Sequence, residues 1–391
     1  ILAVVLLAAN AFLYFRSSVV ENVASLRSMF SLLPWLFLFF IPALTMRAWA
    51  EERREQTLSL LLSYPVRLWE VIAGKLKATS IFVSVIILAT VTIPLSLSKA
   101  GDFDAGAVFA QYLGAVLLAS AMVAVGQWAS TLSKNQVVSF IVSIAVLFAF
   151  YLISLDMVLL AMPYPLNVIG QQLGMLSHYN AMSRGVIDVR DVLYFVSVIF
   201  IFSLLSYAWL VRIKSATASP AWRKLQATVS ILVAICIVIN LFGQSWTVRF
   251  DLTKQHVYSL SGATKSVLRD LDDSLRITLY RAKKLPTQVE LVSRDIQDLL
   301  ADYRKFGGST VDLTIKYPDQ DQDVAAEARQ KGIPTIRFNV VQQDEFTLQE
   351  GYLGLTMEYL DKRETIPFIQ TIDDLEYRLT RGILAMQNDK E

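Results

Sequence analysis

Few side chains in this sequence have the types and spacing that catalysis or metal binding requires. His178 and His256 are its two histidines and lie far apart, and Cys236 is its single cysteine, so neither a zinc site nor an internal disulfide is expected. The alternating carboxylates of residues 319–323 resemble the start of a calcium loop, but the glycine and the distal glutamate of such a loop are missing. We therefore expect a solvated turn at a helix start there.

Nucleotide chemistry is not indicated either. A phosphate-binding P-loop needs two glycines, a lysine and a serine or threonine at fixed spacing, and neither Gly74-Lys75 nor residues 262–265 have that spacing. The basic residues are dispersed, without a stripe interleaved with aromatic residues. The chain by itself is therefore not expected to be an enzyme, to hold a metal or cofactor directly, or to bind nucleic acid.

The most distinctive polar stretch carries five consecutive charged residues, 51–55, between two segments apolar enough to cross a bilayer. Glu51 and Glu55 stand four residues apart, and Leu58, Leu61 and Leu62 follow at helical spacing, which predicts a charged helix start and then an apolar ridge. Pro65 lacks the amide that a helix interior needs, so it should end this helix and can open the next one. The spacing predicts a helix, a sharp elbow and a second helix that returns to the membrane.

This stretch resembles the first cytoplasmic loop of the type 2 ABC exporter permeases. Gln56 stands where that family usually has glycine and Ser59 where a glutamate is common, whereas the matching residues are Glu51, Glu52, Arg53, Thr57, Leu61, Leu62, Pro65, Glu70, Gly74 and Lys75. In that family the helix before the proline is a coupling helix that sits in a cleft of the ATPase subunit.

The resemblance implies the coupling role for Glu51 to Ser63, with the leucine ridge facing the ATPase. The expected ATPase-coupling residues are Glu51, Glu52, Arg53, Arg54, Thr57, Leu58, Leu61, Leu62 and Pro65. The alternative is a solvated loop that its basic residues hold near lipid headgroups.

Composition places the chain in the membrane class, since 54% of its residues are hydrophobic and 18% are charged. A charge at mid-bilayer costs on the order of 2.5 to 3.5 kcal/mol, so charge-free windows mark the spans. The first window is about 22 Å long against a hydrocarbon core of about 30 Å, and is interpreted as a span that has lost its start. The seven windows are 1–15, 28–46, 78–98, 105–133, 135–155, 192–211 and 225–248.

Lys and Arg concentrate in alternate short loops, which places those loops in the cytoplasm. The spans indicate a multi-pass membrane protein, and the resemblance to the exporter permeases implies the bacterial cytoplasmic (inner) membrane. The predicted fold class is an all-α membrane part, a six-span permease plus a seventh span, followed by a soluble α/β domain. The expected division is 1–213 for the six-span permease, 214–224 for a cytoplasmic linker, 225–248 for the seventh transmembrane helix and 249–391 for an extracytoplasmic α/β auxiliary domain.

The loop between the fifth and sixth windows is too apolar for a water loop and too broken for a span. It carries Pro163 and Pro165 and continues largely uncharged to Ser183, which favours a short re-entrant or interfacial segment. Residues 178–188 resemble the segment His-Phe-x-x-Phe-x-(Arg/Lys)-Gly-Val-Ile-Asp that leads into the last span of type 2 exporter permeases.

From residue 250 onward, short strand and helix patterns alternate, which indicates an α/β layer. Ser261 can cap the first of these helices. Strands are predicted at 275–280, 310–317, 335–342 and 354–359, and helices at 265–271, 288–306, 323–331 and 372–386.

Several motifs in this part are similar to the auxiliary component of gliding-motility-type ABC transporters. They are residues 249–253, 258–264, 275–280, 298–303, 332–333 and 375–380. In many relatives the permease and the auxiliary component are separate subunits, so this chain resembles a fusion of the two.

Three functions remain open at this point. The first is a permease subunit that couples ATP hydrolysis by a separate ATPase to export or extraction of a substrate. The second relays ATPase-driven motion to an envelope partner without moving solute. The third, an outward-facing enzyme on a membrane anchor, lacks a catalytic constellation.

The resemblance implies a set of partners for such a permease. They are two copies of a cytoplasmic ABC ATPase, which hold the ATP and Mg, and a second permease half, which a second copy of this chain could supply. The natural chain is expected to extend at both ends, since relatives begin with an amphipathic helix and end with a further span.

Overall fold

A computed structural model describes most of the chain, in two compact units, Ile1–Lys254 and Gln255–Glu391. The described residues are 2–21, 26–63, 65–97, 104–155, 158–159, 170, 172–214, 220–242, 249–253, 260–283, 285, 287–342, 345–370, 372 and 374–388.

Long apolar helices make up the first unit. Its helices are α1 (Leu2–Glu21), α2 (Arg27–Thr45), α3 (Ala50–Arg54), α4 (Thr57–Ser63), α5 (Leu68–Ala89), α6 (Thr92–Leu97), α7 (Ala105–Leu132), α8 (Gln136–Ser154), α9 (Met175–Ser183), α10 (Val189–Lys214) and α11 (Pro220–Phe242). Two short antiparallel strands, β1 (Val186–Asp188) and β2 (Arg249–Asp251), pair with each other.

Within the described part of the chain, six helices are long and apolar enough to cross a membrane. The predicted window 1–15 falls on α1, whose apolar part Ala3–Phe12 is shorter. The other six windows each overlap one of the six helices, so the predicted multi-pass helical fold is confirmed. These helices are Met29–Arg54, Leu68–Ser96, Ala105–Leu132, Gln136–Ser154, Val189–Ile213 and Trp222–Asn240.

The central helix of the first unit is α7, which is buried along most of its length. It starts where the Asp104 carboxylate accepts a hydrogen bond from Ala107 N at 3.0 Å, a regular N-cap. Glycines let neighbouring elements approach it closely: a Cβ built at Gly126 would overlap the Thr45 hydroxyl, and one at Gly114 would lie 3.0 Å from Met182 Cβ. A helix that is apolar all round fits this central position.

Proline in α2 ties the short helix α9 to this core. Pro34 lacks an amide, so the carbonyl of Phe30, four residues earlier, has no helical donor. The hydroxyl of Tyr179 donates to that carbonyl at 2.7 Å, and the hydroxyl of Tyr151 donates to Pro34 O at 2.9 Å. Proline is tolerated in a membrane span when a neighbouring helix donates a hydrogen bond to the carbonyl that the proline leaves without a donor.

The second unit is an α/β domain, as predicted. Its four-stranded sheet has the order β4-β3-β7-β8, with β3 parallel to β4 and antiparallel to β7, and a separate hairpin pairs β5 with β6. The strands are β3 (Leu275–Arg281), β4 (Val311–Lys316), β5 (Ile336–Gln342), β6 (Glu345–Gly351), β7 (Leu353–Tyr359) and β8 (Lys362–Ile366), and the helices are α12 (Gly262–Arg269), α13 (Thr287–Gly307), α14 (Gln322–Gln330) and α15 (Leu375–Asn388).

Two strands of this unit were not predicted. The strand β8 reads Lys-Arg-Glu-Thr-Ile and the strand β6 reads Glu-Phe-Thr-Leu-Gln-Glu-Gly, so neither has a strong apolar pattern. Each pairs antiparallel with the strand that precedes it in the sequence. Pairing with a strand nearby in sequence compensates for a weak strand pattern.

Candidate functional site

The charged stretch forms an elbow, defined here as residues 46–67, that consists of two short helices. The prediction of one helix from Glu51 to Ser63 is wrong: α3 ends at Arg54, and α4 starts at Thr57. Between them Gln56 has a φ of 60°, in the left-handed region, which a continuous right-handed helix excludes. This conformation explains why a glycine would suit position 56.

The far side of the elbow has the predicted bend. Pro65 and Val66 form it, and α5 begins at Leu68 rather than at the proline. The Glu70 carboxylate accepts a hydrogen bond from Arg67 N at 3.3 Å, which caps the first turn of α5.

One face of the elbow packs into the membrane unit. Trp49 is fully buried and Leu58 is 7% exposed, and both lie in a cluster with Ile72 of α5 and Leu210 of α10, against which Leu61 also packs. The expectation that Leu58 faces outward is therefore wrong, whereas Leu61 is half-buried. The side chain of Leu62 lies outside the described residues.

The end of α7 holds the start of α3 through hydrogen bonds. The hydroxyl of Ser130 accepts from Trp49 N at 3.0 Å and Ala50 N at 3.1 Å, and donates to Met46 O at 3.0 Å. The guanidinium of Arg53 donates to the carbonyl of Thr131. Ser130 thereby satisfies two backbone donors at the start of α3, and Arg53 satisfies a carbonyl at the end of α7, groups that lack a partner within their own helices.

A lysine from α5 completes this attachment. Lys75 Nζ lies 2.5 Å from both Ala48 O and Glu52 Oε1, and 4.4 Å from the centre of the Trp49 ring. Both charged side chains are about one-quarter exposed, at 25% and 26%. Glu52 and Arg53 therefore bind the membrane unit itself. Sequence reasoning did not assign Trp49, Lys75 or Ser130 to the site, and Gly74-Lys75 was the available signal for one of them.

The opposite face of the elbow is exposed. Arg54 Nη2 lies 3.6 Å from Glu51 Oε1 and 3.4 Å from Glu55 Oε1, at the surface. Thr57 and Pro65 are also exposed. Leu60 is 61% exposed and Trp69, in the first turn of α5, is 56% exposed. This face combines apolar side chains with both signs of charge.

A second polar cluster surrounds His178 in α9. Its Nδ1 lies 2.7 Å from Asp191 Oδ1 and its Nε2 lies 3.0 Å from the backbone oxygen of Gln172, and its ring stacks on Tyr194 with centroids 4.0 Å apart. The imidazole therefore bridges a carboxylate of α10 and a backbone oxygen. The cluster positions the start of α10. Among the described residues, no group of three metal-ligating side chains occurs.

In the second unit, the sequence motifs meet in one hydrogen-bond network. The Glu376 carboxylate accepts from Ser261 N at 2.7 Å and from the Thr264 hydroxyl at 2.6 Å. The hydroxyl of Thr380 lies 2.8 Å from that of Thr264 and 2.9 Å from that of Tyr303. These motif residues join α12, α13 and α15, so they have a structural role; Ser261 caps α12 as predicted.

The carboxylates of residues 319–323 form a turn, as predicted. Asp321 caps α14 by accepting from Asp323 N at 2.8 Å, and Asp319 accepts from Lys283 N at 2.9 Å.

A compact ion-pair network lies on the same unit. The ammonium of Lys316 lies 2.6 Å from a carboxylate oxygen of Glu327. Hydrogen bonds from Lys316, and then from Tyr280 and Lys331, lower the pKa of Glu327 to about 2, although partial burial by itself would raise it.

Comparisons with known proteins divide the chain in two. A family model described as ABC-2 family transporter protein matches residues 4–250, and one described as a domain of unknown function (DUF7088) matches residues 254–358. A protein of Borreliella burgdorferi, named "Uncharacterized protein", is 24% identical over 165 residues, which are 42% of this chain and 31% of that relative. The chain thus spans about a third of that relative's length. No solved structure matches.

Proposed function

Because the chain belongs to the ABC-2 family of transporter proteins, we propose that it is the permease subunit of an ABC transporter and that a separate ATPase docks on the exposed face of the elbow. Membrane proteins of this family are generally non-catalytic and associate with a cytoplasmic ABC ATPase. The family description favours transport over a relay of motion without solute movement.

The elbow geometry supports the docking site. A coupling element must be held firmly by the permease on one side and reach the ATPase on the other. Ser130, Thr131 and Lys75 hold one face, while Leu60 and the charged pairs of Arg54 lie on the other. The docking residues are accordingly reassigned: Leu60 replaces Leu58 and Leu61, and Glu51, Arg54, Thr57 and Pro65 remain.

The complete transporter follows from the same proposal. Two ATPase copies bind ATP and Mg, and two permease halves form the pathway. Residues 1–213 form the six-span permease of a bacterial inner-membrane protein, 214–224 the linker, 225–248 the seventh span, and 249–391 an extracytoplasmic domain of the gliding-motility auxiliary type that contacts an envelope partner. The transported substrate is exported or extracted from the membrane.

Copurification tests the docking site. The permease is purified from its native membrane, and ATPase subunits are identified by mass spectrometry from their Walker motifs and quantified per permease. Leu60→Asp places a charge in the proposed interface, which costs several kcal/mol, so ATPase recovery should fall at least about tenfold. Leu360→Asp is the matched control, since Leu360 is 50% exposed in the second unit and has a φ of 53° that aspartate tolerates.

Two results would contradict the proposal. Equal ATPase recovery with Leu60→Asp and wild type, at matched membrane levels, would remove the exposed face as the docking site. Absence of any Walker-motif protein from the wild-type complex would argue against the permease function itself. Leu61→Asp should instead lower the membrane level of the protein, because the half-buried Leu61 packs against the cluster that contains Trp49 and Leu58.

A further inference from the structure

The last turn of α10 and the first turn of α11 carry cations and tryptophans. We define the basic end as Trp209, Arg212, Trp222, Arg223 and Lys224. The guanidinium carbon of Arg212 lies 5.1 Å from the centre of the Trp209 ring, which is a cation–π contact. All three cations are exposed, and α10 packs against α11 within the first unit. Tryptophans beside cations at the ends of apolar helices are typical of the membrane–water interface.

The charge of the basic end has one sign. No acidic residue occurs in the sequence from 192 to 250. Leu210 of α10 packs in the cluster of the elbow, so the basic end lies on the same side of the first unit as the elbow. The acidic side chains within residues 51–55 already pair with Arg54 or Lys75. The basic end therefore offers its charge to an anion from another molecule.

An exposed stripe on α11 continues from the basic end and becomes apolar. It consists of Lys224, Thr228, Ile231, Ile235 and Val238, which follow one another at helical spacing, and its apolar members are between 47% and 58% exposed. The hydroxyl of Thr228 donates to Lys224 O at 3.0 Å, so this polar group is satisfied within the helix. At 1.5 Å per residue, Ile231 and Ile235 lie roughly 10 to 17 Å beyond Lys224, which matches one leaflet of a hydrocarbon core about 30 Å thick.

The buried side of α11 faces the protein. Val229 and Cys236, seven residues apart, are buried, whereas the stripe lies on a different face. Among the candidate spans that the structure describes, α11 has the smallest buried share, 11%. The stripe is therefore open to the surroundings over the depth of a leaflet.

We propose that the basic end and the stripe of α11 together form a docking surface for an anionic phospholipid. Arg212, Arg223 and Lys224 donate to the phosphate and the headgroup oxygens, and an acyl chain lies along Ile231 and Ile235. A phospholipid is the class of ligand that joins an anion to an apolar chain of this length, and basic sites between membrane helices bind such headgroups. The docking surface belongs to the chain itself and does not rest on the proposed permease function.

Native mass spectrometry of the purified full chain tests the docking surface. The chain is titrated, without ATPase, with phosphatidylglycerol or with phosphatidylcholine of the same acyl chains. Wild type should bind phosphatidylglycerol at least about tenfold more tightly, since each cation near an anionic surface contributes about fivefold to the affinity. Neutralisation of the basic end by Arg212→Gln, Arg223→Gln and Lys224→Gln should abolish this preference and leave the affinity for phosphatidylcholine within about twofold.

Two control variants separate the lipid site from net charge and from folding. The first removes the same charge from exposed positions of the second unit and should bind phosphatidylglycerol like wild type; it carries Arg269→Gln, Arg304→Gln and Arg329→Gln. The second, Arg212→Lys with Arg223→Lys, keeps the charge of the basic end and should retain the preference. An equal loss of affinity in the control of the second unit and in the neutralised basic end would refute a local site.

Three other results would overturn the proposal. Equal affinity of wild type for the two lipids would remove the preference for an anionic headgroup. Displacement of phosphatidylglycerol by an equal concentration of inorganic phosphate would show a site for free anions. Unchanged lipid binding of the neutralised basic end, together with loss of ATPase copurification, would assign these cations to a protein partner. If no ATPase associates with wild type, the permease function fails, while the lipid titration still decides the docking surface.

Discussion

Replacement of Tyr179 by phenylalanine tests how the membrane core accommodates Pro34. The hydroxyl of Tyr179 is fully buried and donates to Phe30 O at 2.7 Å, the carbonyl that Pro34 leaves without a helical donor. An unsatisfied buried acceptor costs about 1–3 kcal/mol, and hydrogen bonds between membrane helices average about 0.6 kcal/mol with a maximum of about 1.7. We expect Tyr179→Phe to lower the free energy of unfolding by about 1–2 kcal/mol.

A double-mutant cycle isolates the cause. Pro34→Ala restores the amide that donates to Phe30 O within the helix, so Tyr179→Phe should cost less than about 0.5 kcal/mol in that background. Tyr151→Phe is the matched control: its hydroxyl donates to Pro34 O at 2.9 Å, and alanine keeps that carbonyl. Its cost should be the same in both backgrounds.

The assay is unfolding of the full chain in mixed micelles at increasing SDS fraction, followed by tryptophan fluorescence. An equal cost of Tyr179→Phe with and without Pro34 would refute the reasoning, because the hydroxyl would then not be replacing the missing amide. A coupling as large for Tyr151 as for Tyr179 would also refute it, since it would show a general effect of the proline on packing.

Three further predictions concern the elbow and the second unit. Gln56→Gly should raise the free energy of unfolding by up to about 1 kcal/mol in the same assay, because glycine adopts a φ of 60° without strain, whereas Glu55→Gly, at a φ of −84°, should lower it. Lys75→Met should lower the free energy of unfolding by about 1.5–3 kcal/mol and speed hydrogen exchange of the α3 amides, because it removes the hydrogen bonds to Ala48 O and Glu52. Lys77→Met, at an exposed position, is the control, and equal exchange in both variants would contradict the attachment. The folded-state pKa of Glu327 is depressed to about 2. Its contribution of about 3 kcal/mol to the free energy of unfolding is therefore present above pH 4.5 and is lost as the pH falls toward 2. Glu327→Gln should remove this pH dependence, and an unchanged acid transition would contradict the prediction.

Local chemistry in the sequence was sufficient for the spans and for the main elements of the second unit. Charge-free windows locate membrane helices because inserting a charge is costly wherever the helix packs. Ser261 caps α12 and Asp321 caps α14 because a cap needs only residues two or three positions away. The weakly patterned strand β8 escaped prediction, since it depends on its partner β7 for pairing.

The direction in which the elbow's side chains face was decided by tertiary structure. Helical spacing groups Leu58, Leu61 and Leu62 on one face but does not say whether that face meets a partner or the same chain. Ile72 of the next helix and Leu210 of a helix distant in sequence bury Leu58, and a left-handed residue at position 56 rotates α4 relative to α3. Leu60 is exposed while Leu58 is buried, because the direction of a helix face depends on the neighbours that the folded chain places against it.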